Sequence, residues 1–233
     1  MATTDISVFE KKAGVTFKDK ALLTQAFTHR SYLNENKGLK MSHNERLEFL
    51  GDAVLELIST DYLFKKYPDK TEGDLTSYRS ALVNTHSLAK AAINLDINDY
   101  LLLSKGEAKD MGRARQIILA DTFEAVLGAL YVDAGYESAR DFVKRNLFDL
   151  IDIAHIVKNK LWLDAKSRFQ EQAQEKLGVT PAYKTIREEG PDHDKVFTLG
   201  VFLGDVQVAT GEGPSKQEAE QKAAENGLKE KSW

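Results

Sequence analysis

Acidic residues at helical spacing are the part of this sequence best suited to chemistry. Glu48 and Asp52 follow Glu45 by three and seven positions, so all three carboxylates lie on one face of an α-helix. Leucine, valine and isoleucine occupy much of the remaining circumference of this segment, which predicts a largely buried helix. The three acids therefore repel one another, and no run of basic residues adjoins them.

A second segment has the same feature, because Asp121 and Glu124 are three positions apart among apolar residues. An unpaired carboxylate in a dry interior is costly, and a cation shared by both helices would remove that cost. Oxygen ligands and the absence of cysteine favour a hard ion such as Mg²⁺, which suits phosphate binding and water activation. On spacing alone, the alternative of solvent-facing acids on amphipathic helices stays open.

The elements that would carry these acids follow from periodicity. Residues 1–155 show apolar residues at three- and four-residue steps, which predicts an all-α domain. We expect a linker at 156–163 and a second domain at 164–233. In that domain Asp164 is a predicted N-cap, Gly204 and Asp205 form a predicted hairpin turn, and Ser215 opens a final helix. The prediction is a multidomain chain: all-α, then a small α+β domain of order α-β-β-β-α.

Charge and composition restrict the function classes. The 233 residues carry a net charge of −4, with 22 basic and 23 acidic residues in 1–160 and 10 basic and 13 acidic in 161–233. Neither part is basic overall, so nucleic-acid binding would require locally placed cations. The sequence shows neither a secretory signal nor a membrane span, and it has no cysteine. We therefore expect a cytoplasmic protein without membrane contact.

Residues 44–58 (NERLEFLGDAVLELI) resemble the signature segment of bacterial ribonuclease III, and so do residues 28–32, 72–75 and 118–125. The C-terminal part resembles the double-stranded-RNA-binding domain of that family, so the resemblance covers nearly the whole chain. It implies a homodimeric endonuclease that cleaves double-stranded RNA with Mg²⁺, or Mn²⁺ in its place, and no organic cofactor. It also implies 5′-phosphate and 3′-hydroxyl products, short 3′ overhangs, and substrates among ribosomal RNA precursors and structured messenger RNA.

The resemblance also assigns roles to residues of the nuclease part. Four acids match the metal ligands of the family: Glu48, Asp52, Asp121 and Glu124. We expect Asp52 and Glu124 to be the most important pair. Glu45 and Glu72 match further acids that line the cleft and assist substrate placement or scission. Phe49 matches a residue that inserts into the partner subunit, although ordinary core packing would equally explain a phenylalanine there.

The RNA-binding part has three expected contact patches. Gln170 and Glu171, on the helix at 164–177, match minor-groove contacts, and His193 matches a residue that enters the next minor groove. Lys216 begins the last helix, where exposed N–H groups already favour phosphate, and Lys222 adds a charge further along. The family pattern has a second lysine beside Lys216 where this chain has Gln217. We expect this difference to weaken phosphate binding.

Arg113 and Arg115 lie in a segment just before Asp121. They are predicted either to contact RNA phosphates beside the metal site or to belong to an ordinary solvated loop.

Two other function classes deserve comparison. A protein that binds duplex RNA without cutting it would have the same layout, but all six family acids are present here. A metal-dependent helical phosphohydrolase acting on nucleotides would not need an RNA-binding domain. The sequence therefore favours the endonuclease.

Overall fold

A computed structural model of the chain describes residues 5–109, 112–159, 164–191 and 195–233. The chain forms two compact units, Met1–Ile156 and Val157–Trp233. Helices make up the first unit and begin the second, and the predicted fold class is confirmed in both. No helix within the described residues is long and apolar enough to cross a membrane.

The regular elements of the first unit are all helical. They are α1 (Ile6–Ala13), α2 (Lys20–Ala26), α3 (Arg30–Glu35), α4 (Glu45–Lys66), α5 (Glu72–Leu82), α6 (Thr85–Asn94), α7 (Arg113–Asn146) and α8 (Ile153–Lys158), which crosses into the second unit. The predicted linker at 156–163 thus begins within α8, and its residues 160–163 lie outside the described residues. The domain boundaries therefore stay a prediction.

Helices α4 and α7 form the centre of the first unit, and two glycines set how closely they approach. A Cβ added to Gly51 of α4 would lie 1.8 Å from the carbonyl oxygen of Glu124. A Cβ added to Gly128 of α7 would lie 2.1 Å from the carbonyl oxygen of Leu47. The backbones are therefore in direct contact, which only residues without a side chain permit. This contact brings the acids of the two helices together.

Helix α7 is not continuous along its length. Gly135 has φ 79° and ψ −176°, so the helical conformation is interrupted there. The turns before the break are largely buried: they include Phe123, Leu127 and Leu130, each at most 1% exposed. The acids Asp121 and Glu124 belong to this earlier, well-packed part of the helix.

The second unit packs two helices on one antiparallel sheet. Its elements are α9 (Ala165–Leu177), β1 (Ala182–Glu189), β2 (Val196–Leu203), β3 (Val206–Gly213) and α10 (Lys216–Lys231), with the strands in the order β1-β2-β3. Asp164 caps α9 and Ser215 caps α10, both by accepting a backbone N–H bond. Gly204 and Asp205 connect β2 to β3 as a two-residue turn. The order of elements is the one the sequence predicts.

The core of this unit is small, and two of its five buried residues are alanines. Phe169 of α9 and Val201 of β2 pack with three residues of α10, namely Ala223, Ala224 and Leu228. Small side chains at Ala223 and Ala224 let α10 lie close to the sheet. This packing leaves the first residues of α10 at the surface.

Candidate metal centre and RNA-binding surface

Three carboxylates from two helices converge in the first unit. Glu48 of α4 and Asp121 and Glu124 of α7 each offer an oxygen, and these oxygens all lie within 4.8 Å of one another. All three residues are partly buried. The close approach of α4 and α7 at Gly51 produces this cluster, since neither helix alone carries all three acids.

Among the described residues, the charges named as acting on Glu48 and Glu124 are all negative. Burial, together with the negative charges of Asp52, Asp121 and Glu48, raises the pKa of Glu124 to about 8. Burial, followed by the charge of Asp121 as the largest electrostatic contribution, raises the pKa of Glu48 to about 7. The pKa of Asp121 is also raised by burial. The protein alone therefore favours the protonated form of Glu124 at neutral pH, and a bound cation would displace that proton.

Asp52 lies beside the cluster and not within it. It is exposed on α4, yet its charge is the largest electrostatic contribution to the raised pKa of Glu124. It lines a cavity of about 400 Å³ together with Glu56 and Arg79. Of the four predicted metal ligands, the structure thus brings three together and places Asp52 at electrostatic range.

The two further acids differ in their surroundings. Glu45, at the start of α4, accepts from the Arg30 guanidinium at 3.4 Å and lies 3.8 Å from the His43 ring. Its charge contributes to the raised pKa of Glu48. Glu72, at the start of α5, is exposed and accepts from the Thr76 hydroxyl at 3.1 Å. Glu45 is therefore close to the cluster, whereas Glu72 lies outside it.

Sequence reasoning missed Arg79, a cation in this acidic region. Arg79 of α5 donates to the Thr60 hydroxyl at 2.8 Å and to Glu56 at 3.0 Å. It shares its cavity with Asp52. The available signal was its position seven residues after Glu72, which places both on one face of α5.

Helix α4 also presents an apolar stripe to solvent. The side chain of Phe49 is 81% exposed, and Leu57 and Phe64 are 58% and 68% exposed. They are eight and fifteen positions beyond Phe49, so they share its face. Ordinary core packing, the alternative for Phe49, is excluded by this exposure.

In the second unit, the expected RNA contacts lie at the surface where they are described. Gln170 and Glu171 are exposed on α9, and Lys216 and Lys222 are exposed on α10. Lys216 pairs with Glu188 at 2.8 Å, and Lys222 pairs with Glu225 at 2.9 Å. His193 lies outside the described residues.

The two arginines before Asp121 have different environments. Arg113 is exposed at the start of α7. Arg115 is only 6% exposed, and its guanidinium donates to the carbonyl oxygen of Glu107 at 2.8 Å. The expectation that Arg115 contacts RNA is therefore corrected. Its side chain is buried and binds the backbone of the preceding segment at Glu107.

Comparisons with known proteins agree with this architecture. Residues 19–151 match the family described as ribonuclease-III-like, and residues 165–231 match the double-stranded RNA binding motif. The chain is 45% identical to Ribonuclease 3 of Protochlamydia amoebophila, over 94% of this chain and 89% of that protein. It is 46% identical to Ribonuclease 3 of Enterococcus faecalis, over 94% of each chain.

A solved structure gives a third similarity. The chain resembles the nuclease domain of ribonuclease III from Campylobacter jejuni, with a TM-score of 0.57 and 42% identity. That alignment covers 62% of this chain and 97% of the C. jejuni domain. The work on that domain concerns structural flexibility in a region involved in its dimer formation.

Proposed function

The chain belongs to the ribonuclease III family, and on that premise we propose which residues of its two units act on RNA. It is an endoribonuclease that cleaves double-stranded RNA, with a nuclease unit followed by a double-stranded-RNA-binding motif. The convergence of Glu48, Asp121 and Glu124 carries the proposal for the reaction.

The proposed cofactor is Mg²⁺, with Mn²⁺ able to replace it. The donor set fits a hard divalent ion, because it consists of carboxylate oxygens at half-buried positions. The raised pKa values of Glu48 and Glu124 fit it too, since burial and then mutual repulsion disfavour the charged carboxylates without a cation. Asp52 is the proposed fourth ligand, because it is exposed on α4 and its charge acts on Glu124. When bound, such an ion supplies charge stabilisation for a phosphate and a more acidic water.

The proposed reaction is hydrolysis of the bond between phosphorus and the 3′ oxygen. Water adds its hydroxyl to phosphorus and its second proton goes to the departing 3′ oxygen, which gives a 5′-phosphate and a 3′-hydroxyl. Glu45 and Glu72 are proposed to line the cleft and assist placement or scission. The Arg30 guanidinium donates to Glu45, and the charge of Glu45 acts on Glu48, which suits a role in orienting a substrate group.

The active enzyme is proposed to be a homodimer formed through α4. The stripe of Phe49, Leu57 and Phe64 supports this, because exposed aromatic and aliphatic side chains on one face are typical of an interface. Two symmetry-related sites would cut opposite strands and leave a short 3′ overhang.

The second unit is proposed to hold the duplex by shape. Gln170, Glu171 and His193 would contact minor grooves, while Lys216 and Lys222 would contact phosphates across the major groove. Arg113, exposed at the start of α7, is the proposed phosphate contact of the nuclease unit. Ribosomal RNA precursors and structured messenger RNA in the cytoplasm are the proposed substrates.

Incubation of long duplex RNA with Mg²⁺ and the variant Glu124→Gln tests the proposal. We expect cleavage to be lost and binding to be kept, because the substitution removes a ligand charge and leaves the second unit unchanged. Glu137→Gln is the matched control, since Glu137 lies on the same helix but pairs with Arg140 beyond the Gly135 break. Equal cleavage by the wild type and by Glu124→Gln would refute the proposed role.

A further inference from the structure

One acid of the second unit holds two lysines on two different elements. One carboxylate oxygen of Glu188, near the end of β1, lies 2.8 Å from the Lys216 ammonium at the start of α10. The other oxygen lies 3.7 Å from the ammonium of Lys195, which precedes β2. These contacts hold the pKa of Glu188 below its usual range, with Lys216 as the main cause.

An aromatic ring completes this arrangement. Phe197 is the β2 partner of Glu188 across the sheet. The Lys216 ammonium lies 5.5 Å from the centre of its ring, and the Lys195 ammonium lies 5.9 Å from it. Both ammonium groups therefore lie near the Phe197 ring, and the Glu188 carboxylate lies between them. We call Glu188, Lys195, Phe197 and Lys216 the lysine clamp.

The carboxylate in the lysine clamp has the chemistry of a phosphate group. It is an anion with one oxygen accepting from the Lys216 ammonium and the other in ion-pair range of the Lys195 ammonium, and a phosphate can bridge two lysines in the same way. Lys216 is also the first residue of a 16-residue helix, where exposed N–H groups attract anions. The free protein thus already has an anion at the position where RNA phosphate is expected.

We propose that Glu188 is an internal substitute for an RNA phosphate that occupies Lys216 and Lys195 and so restrains RNA affinity. The inference rests on the proposed RNA contact of Lys216. A duplex must displace the carboxylate or bind beside it, and two anions around the same lysines repel each other. Restrained affinity favours release of cleaved RNA, and it makes firm binding depend on the other patches being engaged at the same time.

The alternative is that Glu188 only orders the two lysines for RNA. The two roles predict opposite changes in RNA affinity when the charge of Glu188 is removed. If ordering dominates, removing the charge weakens RNA binding; if substitution dominates, removing it strengthens binding. Exposed ion pairs have small net energies, whereas the repulsion between Glu188 and an incoming phosphate acts only in the complex. We therefore expect strengthening.

The test measures binding of the full chain to a duplex of about 20 base pairs, longer than the ~16 that such a domain spans. Fluorescence anisotropy in EDTA avoids cleavage. We expect Glu188→Gln to bind about three- to fivefold more tightly at low salt, and the gain to shrink as salt screens the charges. Glu189→Gln is the matched control, because its partner is Arg187 and not a lysine of the clamp. We expect it to change affinity by less than about twofold.

Lys216→Gln separates this inference from the proposed function. It should weaken RNA binding by itself, and Glu188→Gln should bring little gain in its background. If Lys216→Gln weakens binding but Glu188→Gln weakens it or leaves it unchanged, the inference is overturned and the proposed RNA contact stands. If Lys216→Gln has no effect, both are overturned. Thermal unfolding of each variant shows that the fold is kept.

Discussion

Replacing Gly51 with alanine should separate the two helices that carry the acids. The added Cβ would lie 1.8 Å from the carbonyl oxygen of Glu124, whereas ordinary contacts of a Cβ begin at 3.4 Å. Helices α4 and α7 must therefore separate locally by about 1.6 Å. Metal sites tolerate only about 0.2 Å of error in ligand distance, so Glu48 and Glu124 could no longer serve one ion. Misplacement by about 1 Å costs on the order of 100-fold in rate.

We therefore expect Gly51→Ala to reduce cleavage of long duplex RNA by at least about 100-fold and to require more Mg²⁺. Overpacking should also lower the free energy of unfolding by about 1–3 kcal/mol. RNA binding in EDTA should be retained, because the second unit is unchanged. Gly38→Ala is the control, since a Cβ at Gly38 meets no atom within 4 Å. A folded Gly51→Ala enzyme with normal rate and normal Mg²⁺ dependence would refute the reasoning.

Four further predictions concern other parts of the chain. In EDTA, the contribution of Glu124 to stability should be fully present below its unfolded-state pKa of about 4.5 and should fall away as pH rises to about 8, because folding raises the pKa of Glu124 to about 8. Glu124→Gln should remove roughly 2 kcal/mol of this fall after allowance for solvent screening, and parallel melting curves between pH 5.5 and 8.5 would contradict it. Phe49→Glu should shift the protein from dimer to monomer in analytical ultracentrifugation, because a charge would be buried at the proposed interface; an unchanged sedimentation coefficient would exclude this interface. Gln217→Lys should tighten duplex binding about threefold by adding a phosphate contact, and equal anisotropy titrations would argue against it. Arg113→Glu should slow cleavage at low salt, and unchanged rates would remove Arg113 from the RNA surface.

The fold and the acids of the site were accessible from sequence to different degrees. Helical periodicity and the caps at Asp164 and Ser215 are local signals, so they predict the elements well. Sequence spacing shows that Glu48 shares a face of α4 with Asp52, and that Asp121 shares a face of α7 with Glu124. It does not show how two helices cross, and that crossing decides that Glu48 joins the cluster while Asp52 lies beside it.

Charged residues were harder to place because their partners are distant in sequence. Arg115 lies in a segment whose composition is typical of a solvated loop. Its side chain is nevertheless buried, and its guanidinium donates to a backbone carbonyl. Glu188 had no local signal of importance, and its two lysines come from other elements. Pairing of this kind depends on tertiary contacts, which a single sequence does not specify.

The interruption of α7 at Gly135 has a consequence for how this protein can vary in length. An extra residue in an uninterrupted α-helix turns everything beyond it by about 100°. At Gly135 the backbone already departs from helical φ and ψ, so the gain or loss of one residue there need not turn the part of the helix that carries the acids. The side chains of Asp121 and Glu124 would keep their direction while the part of the helix beyond Gly135 gains or loses residues. Descendants of this sequence can therefore change the length of the helix beyond Gly135 without changing the proposed metal centre.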